Sequence, residues 1–186
     1  MRLFIAVNLP PALRDDLWTI AEPLRTHDFP VRWVAPEGLH ITVKFLGAVD
    51  PDHVPGVREG LERAVAGAKP FPVLLSGFGA FPSPRRPRVV WAGCEAVPPF
   101  ELLQDRVERE MQELGFPVEA RVFHPHVTMG RVRRGANDRT LGGLQGHLER
   151  LSFGQEFTVQ SVDLMESTLH TSGARYARRH VADLRG

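Results

Sequence analysis

The chain is poor in cysteine, in lysine and in long apolar runs. Its 186 residues include one cysteine, Cys94, which excludes an intramolecular disulfide and a cluster of thiolate metal ligands. No apolar run approaches the roughly 18 residues that a membrane helix needs. Met1 leads directly into a short apolar strand, so we expect no signal peptide and a cytoplasmic location. With a net charge of +1 the chain has no overall field for nucleic acid, so any RNA contact must be local.

Lysine is also scarce, since two lysines accompany 21 arginines. Neither lysine lies in a Lys-x-Asp-Gly motif, and no G-x-x-x-x-G-K-[ST] run is present. The sequence therefore predicts no ATP-binding machinery and no cofactor. Three of the arginines, Arg85, Arg86 and Arg88, lie in a proline-rich segment that cannot be regular structure. This loop either contacts an RNA backbone or is a solvated turn.

A short pattern occurs twice. The stretch His40 to Gly47 alternates like a half-buried strand, which places Ile41 and Val43 on one face and His40, Thr42 and Lys44 on the other. The stretch His126 to Arg131 repeats the His-x-Thr element 86 residues later. If the two strands face each other, two imidazoles and two hydroxyls meet at one place.

Such a meeting has a definite chemical use. Opening a phosphodiester without a metal requires one group to accept a proton from the attacking oxygen and another to donate one to the leaving oxygen. Histidine titrates in the right range for both tasks. A single strand histidine is more often only a structural residue, but a duplicated His-x-Thr favours catalysis. A zinc site built from His40, His124 and His126 is the sharper rival, although Pro125 distorts that segment and no carboxylate completes the ligand shell.

These motifs resemble those of the 2H phosphoesterases. Within that superfamily the chain is similar to the RNA 2′,3′-cyclic phosphodiesterases, also called 2′-5′ RNA ligases. The likeness extends over nearly the whole length through five further segments, Met1 to Val7, Arg32 to Val34, Gly77 to Pro82, His124 to Arg131 and Met165 to Leu169. It implies RNA ending in a 2′,3′-cyclic phosphate as the partner, tRNA halves among the candidates, with no metal and no membrane. It also implies a monomer.

The resemblance assigns roles to six residues. His40 is the expected proton donor, His126 the proton acceptor, and Thr42 and Thr128 hold the phosphate. Phe45 and Arg131 are expected to hold the terminal base from either side. Each lies five residues after its motif histidine, an odd offset that leaves the face of His and Thr. Each therefore either acts from the end of its strand or is structural, in the core for Phe45 and on the surface for Arg131. His124 is interpreted as a supporting neighbour.

The order of elements predicts an α+β fold over residues 1–186, one domain made of two pseudo-symmetric lobes of antiparallel sheet. Helices pack on the outer faces and the site lies in the cleft between the lobes. Strand, helix, motif strand, helix and further strands occur twice. Helical patterns cover Leu13 to Leu24, interrupted at Pro23, then Val54 to Val65, Phe100 to Leu114 and Leu141 to Leu151.

The predicted activity is metal-independent hydrolysis of 2′,3′-cyclic phosphate RNA ends to 2′-phosphates, with reversible ATP-independent 2′-5′ ligation as an additional activity. Two alternatives stay open. One is an enzyme for a small cyclic phosphate such as ADP-ribose 1″,2″-cyclic phosphate. The other is an RNA-end binding module without catalysis.

Overall fold

Antiparallel strands form one curled sheet in a computed structural model that describes residues 1–137, 139–171 and 173–186. The strands are β1 (Arg2–Asn8), β2 (Val31–Trp33), β3 (His40–Ala48), β4 (Phe71–Phe81), β5 (Val89–Cys94), β6 (His126–Val132), β7 (Gly154–Val159), β8 (Ser161–His170) and β9 (Gly173–Asp183). The helices are α1 (Pro11–Ile20), α2 (Glu22–Thr26), α3 (Val54–Val65), α4 (Pro98–Glu113) and α5 (Leu144–Arg150).

The sheet is built from two similar halves. Its strand order is β7-β4-β5-β6-β3-β1-β8-β9, and the short β2 pairs with β6. The two motif strands, β3 and β6, are therefore central, and each has three strands on its outer side. They pair with each other only at Ile41 and Val127, which leaves a cleft where the halves diverge. This arrangement confirms the predicted α+β fold with two pseudo-symmetric lobes and a cleft between them.

Helices cover the outer face of the sheet and create the hydrophobic core. On α3 and α4 the apolar residues recur at helical spacing, and Leu61, Phe100, Val107 and Met111 are fully buried. On the sheet, Ile5, Ile41, Val90 and Val127 are fully buried in the same cluster. Each such side chain stabilises the fold by roughly 1.5 to 3 kcal/mol. Alternate strand residues point to opposite faces, so the burial of Ile41 and Val127 in the core places the side chains of the neighbouring motif residues in the cleft.

The predicted helices are present, and two strands differ from what their apolar patterns indicate. The first helix pattern breaks between Ile20 and Glu22 and restarts with Pro23 in its first turn, where proline is tolerated. Strand β7 was not predicted, because it is an edge strand with only Phe157 and Val159 buried and so has a weak apolar pattern. Strand β4 continues to Phe81, further than its apolar run indicates, because a bulge after Leu75 lets pairing with β5 continue.

The proline-rich segment that the sequence predicts to be irregular is a loop in the structure. Arg85, Arg86 and Arg88 are exposed in the segment between β4 and β5. Asp138 and Ser172, both expected in loops, lie outside the described residues. Among the helices of the described part of the chain, none has the length and apolar character needed to span a membrane.

Candidate active site

The two motif histidines meet where β3 and β6 cross. Ile41 pairs with Val127 in an antiparallel register, so His40 and Thr42 flank this pair on β3 and Thr128 and His126 flank it on β6. All four motif side chains are only partly buried, whereas Ile41 and Val127 are fully buried. The duplicated motif thus produces one site with near two-fold symmetry.

Backbone carbonyls fix both imidazoles in the same way. The Nδ1 atom of His40 lies 2.7 Å from the carbonyl oxygen of Gly38, and Nδ1 of His126 lies 2.7 Å from that of His124. A carbonyl oxygen only accepts hydrogen bonds, so each Nδ1 carries the proton and donates it. Each neutral ring therefore keeps its lone pair on Nε2, the atom that can exchange a proton with a ligand. His124 supports His126 through its backbone, while its own side chain is exposed.

Aromatic rings hold the histidines from the side. The ring of His40 lies 4.9 Å from that of Phe4 and 5.1 Å from that of Tyr176, the second contact being edge-on. The ring of His126 makes an edge-on contact with Phe81 at 5.0 Å. Sequence reasoning assigned no role to these rings. For Phe4 the reason is that every residue of β1 from Leu3 to Val7 is apolar, so no alternation reveals which side chains face the cleft.

The environment of the site disfavours positive charge on either histidine. Burial lowers the pKa of His40 to about 4, and the positive charges of Arg14 and Arg131 act in the same direction. Burial also lowers the pKa of His126, again with Arg131 contributing. Both imidazoles are therefore neutral at pH 7. The charge of Arg131 thus acts on both rings.

A β-bulge follows each His-x-Thr element and determines the face of the sheet on which Phe45 and Arg131 lie. In β3, Ile5 pairs with Lys44 but Ala6 pairs with Thr42, so Val43 is the extra residue. In β6, Val90 pairs with Gly130 but Trp91 pairs with Thr128, so Met129 is the extra residue. A bulge inverts the alternation of faces beyond it. Phe45 and Arg131 therefore return to the exposed side of the sheet, Phe45 within β3 and Arg131 next to the last residue of β6.

The exposures of these residues agree with the inversion. Phe45 is 65% exposed, and its ring lies 6.3 Å from that of Phe4, which also contacts His40. Arg131 is exposed at the equivalent position of β6. Two residues expected to flank a base thus occupy matching positions on either side of the pair of histidines.

The bulge also shows that the predicted face of Lys44 is wrong. Lys44 is 4% exposed and points away from the cleft, where its Nζ donates to Oε2 of Glu108 at 2.6 Å and to the carbonyl oxygen of Pro117 at 2.8 Å. Glu108 lies on α4, so this buried ion pair ties the bulge to the outer helix layer. The equivalent residue of β6 is Gly130, where a Cβ would lie 2.6 Å from Val31. The bulge thus turns this position away from the cleft in both halves. In β3 the position holds a lysine that is paired with Glu108, and in β6 there is no room for a side chain larger than that of glycine.

Metal ligands do not converge in the described residues. No group of three His, Cys, Asp or Glu side chains within them could hold a metal ion. His124 lies next to the site in sequence, yet its ring is exposed. Cys94 is partly buried, and burial raises the pKa of its thiol to about 12, so it is not a thiolate nucleophile at neutral pH.

Comparison with known proteins shows the family of the chain. The family model of the 2′-5′ RNA ligase superfamily matches residues 13–171. The RNA 2′,3′-cyclic phosphodiesterase of Methanothermobacter thermautotrophicus is 36% identical over 97% of either chain. The protein of the same name from Archaeoglobus fulgidus is 34% identical over 95% of this chain and 96% of its own.

Solved structures show the same fold. TT0787 of Thermus thermophilus superposes with a TM-score of 0.84 at 29% identity, covering 100% of this chain and 99% of its own. LigT of E. coli, crystallised with 3′-AMP, superposes with a TM-score of 0.73 at 26% identity, covering 100% and 98%. Both sequence and fold agree over almost the full length. The chain belongs to the 2′-5′ RNA ligase superfamily.

Proposed function

We propose that this protein is an RNA 2′,3′-cyclic phosphodiesterase that opens the cyclic phosphate without a metal and leaves a 2′-phosphate. The observation that carries the proposal is the pair of imidazoles at the crossing of β3 and β6, each with Nδ1 engaged by a carbonyl and Nε2 left for chemistry. The names of the relatives from M. thermautotrophicus and A. fulgidus support the substrate class.

Each histidine performs one proton transfer. Nε2 of His126 accepts a proton from water as the water oxygen bonds to phosphorus. The bond between phosphorus and the 3′ oxygen breaks, and protonated Nε2 of His40 donates its proton to that oxygen. Thr42 and Thr128 donate hydrogen bonds to the non-bridging oxygens, one from each half of the sheet. General acid and base catalysis of this kind contributes typically 100-fold to 10,000-fold per group.

Binding of the substrate prepares the acid. Burial lowers the pKa of His40 to about 4, which leaves that ring neutral at pH 7. A bound phosphodiester brings a negative charge beside the ring, and an opposite charge nearby favours the protonated form. Protonation of His40 is therefore coupled to the arrival of the phosphate. If a 5′ hydroxyl takes the place of the water, the same transfers form a 2′-5′ linkage without ATP.

The terminal base is held between Phe45 and Arg131. Both side chains are exposed, and Arg131 lies within the electrostatic reach of both histidines. Stacking of a base on an aromatic ring contributes roughly 1 to 3 kcal/mol and tolerates any base. The proposed partners are therefore RNA ends of varied sequence, tRNA halves included. We further propose that residues 1–186 act as one domain, as a monomer in the cytoplasm.

The direct test uses an oligoribonucleotide with a 2′,3′-cyclic phosphate end. Purified protein should open the ring, and chromatography against 2′- and 3′-phosphate standards should identify the 2′-phosphate product. A 3′-phosphate product would contradict the assignment of His40 to the 3′ oxygen. Binding of the RNA end without turnover would favour the binding module. Turnover of ADP-ribose 1″,2″-cyclic phosphate alone would favour the small-molecule enzyme.

A further inference from the structure

A second basic group lies on the β1–β8–β9 side of His40. Asp163 of β8 is 1% exposed, and its Oδ2 lies 3.1 Å from Nε of Arg178 on β9 and 2.6 Å from Nδ2 of Asn8. Ser161 donates to Oδ1 of the same carboxylate at 3.0 Å. A buried carboxylate thus holds the guanidinium of Arg178 in place by its Nε, while half of the Arg178 side chain stays exposed.

Arg14 joins this group from the start of α1. Its Nε donates to the carbonyl oxygen of Leu9 at 2.8 Å, directly after Asn8, the residue that pairs with His40 across β1 and β3. Asn8 also donates to Asp163, so Arg14 is anchored one residue away from a side chain that contacts the carboxylate bound to Arg178. The charge of Arg14 acts on both Arg178 and His40. The guanidinium of Arg14 also feels the negative charge of Asp163, Asp15 and Glu37. Of these three carboxylates only Asp163 is buried. In the described part of the chain, the terminal nitrogens of Arg178 make no hydrogen bond to a protein group.

The position of this group fits an anion next to the reacting phosphate. Asp163 lies on β8, two strands away from β3 in the order β3-β1-β8. Neighbouring strands are about 4.8 Å apart, so β8 lies about 10 Å from the motif strand. A guanidinium held at Asp163 is therefore displaced from the two histidines toward the outer strands, a position that suits the next phosphate of a chain.

We propose that Arg14 and Arg178 form a subsite for the phosphodiester that precedes the terminal nucleotide of an RNA substrate. This inference rests on the proposed function for its substrate class. Arginine suits the task, because its planar fork binds phosphate oxygens in a bidentate manner. The subsite makes the enzyme prefer an RNA end over a nucleoside cyclic phosphate, since the mononucleotide has no phosphate to place there.

The test compares two substrates with the same reacting ring. Adenosine 2′,3′-cyclic phosphate fills the catalytic cleft alone, and a short oligoadenylate with the same cyclic end also reaches the subsite. Arg178→Gln should lower kcat/KM for the oligoadenylate roughly 10-fold and leave the mononucleotide unchanged, the usual scale for one charge-assisted hydrogen bond. The slope of log affinity for the oligoadenylate against log salt should flatten by about 0.7, the value for one phosphate contact on a single strand.

The neighbouring arginine supplies the control. The side chain of Arg179 binds Glu166. The variant Arg179→Gln should therefore have the wild-type kcat/KM for both substrates. Arg178→Lys should recover part of the lost activity on the oligoadenylate. An equal loss on both substrates for Arg178→Gln would mean that the guanidinium acts on the reacting phosphate, and no loss on either would also overturn the subsite.

A binding measurement keeps the inference separate from the proposed function. If wild-type protein turns over neither substrate, the proposed function fails, and the subsite is then tested by the affinity for an oligoadenylate ending in a 2′-phosphate. Arg178→Gln should still weaken that binding roughly 10-fold and leave binding of adenosine 2′-phosphate unchanged. Equal affinities of wild type and variant for the oligoadenylate would reject the subsite.

Discussion

Replacing Lys44 tests the buried ion pair that holds the bulge of β3. The side chains of Lys44 and Glu108 are 2% and 9% exposed and meet at 2.6 Å. Lys44→Met leaves Glu108 in the core without its cation, and breaking a buried pair in this way costs about 3 to 5 kcal/mol. Glu108 keeps contacts at 3.3 Å with the backbone N–H of Glu119 and with Gln104, so we expect a value near the lower end. For a chain of this length, about 3 kcal/mol corresponds to a fall in Tm of roughly 6 to 12 °C.

The double variant separates the pair from its surroundings. Lys44→Met combined with Glu108→Leu removes both charges, and apolar groups of similar volume often replace a buried pair at no net cost. Its free energy of unfolding, from urea denaturation, should therefore lie within about 1 kcal/mol of the wild-type value. An exposed pair provides the control, since Arg109 and Asp105 are 74% and 48% exposed and their removal should cost less than about 1 kcal/mol. A double variant as unstable as the single one, or a single variant as stable as the control, would refute this account of the bulge.

Three further predictions concern the reaction. Turnover should persist in EDTA because two imidazoles perform the proton transfers, and loss of activity that zinc restores would contradict this. Burial lowers the pKa of His40 to about 4 and also lowers the pKa of His126. The enzyme form that has His40 protonated and His126 neutral is therefore most populated at a pH below the ordinary pKa of histidine. A plot of kcat/KM against pH should therefore be a bell centred below the ordinary histidine value of about 6.5, and a centre above pH ~7 would count against both roles. Thr42→Val and Thr128→Val should each lower kcat on the order of 100-fold or less, because each removes one donor, and a loss as large as that of a histidine variant would give the hydroxyl a different role.

The sequence predicted the crossing of β3 and β6 because the signal there is local and duplicated. His-x-Thr on an alternating strand identifies the face of the histidines, and burial of Ile41 and Val127 confirms that face. Helices α3 and α4 were also predictable, since their apolar residues recur at helical spacing over three or more turns.

The bulges were not predictable from the same pattern. Strict alternation assigns Lys44 to the cleft and Phe45 to the core, and the extra residue Val43 reverses both assignments. Lys44 binds Glu108, a partner 64 residues further along the chain, and such a pairing leaves no local signal in the sequence. The edge strand β7 and the ring contacts of Phe4, Phe81 and Tyr176 likewise depend on the packing of distant segments.

The most direct test of the two-histidine mechanism compares His40→Ala and His126→Ala on two leaving groups. On RNA with a cyclic phosphate end, either variant should lose about 100-fold to 10,000-fold in kcat. On an activated aryl phosphodiester, whose leaving oxygen needs no protonation, His40→Ala should recover most of its activity and His126→Ala should stay slow. Rescue of His126→Ala instead would reverse the two roles, and retention of full activity by both variants on RNA would contradict the mechanism.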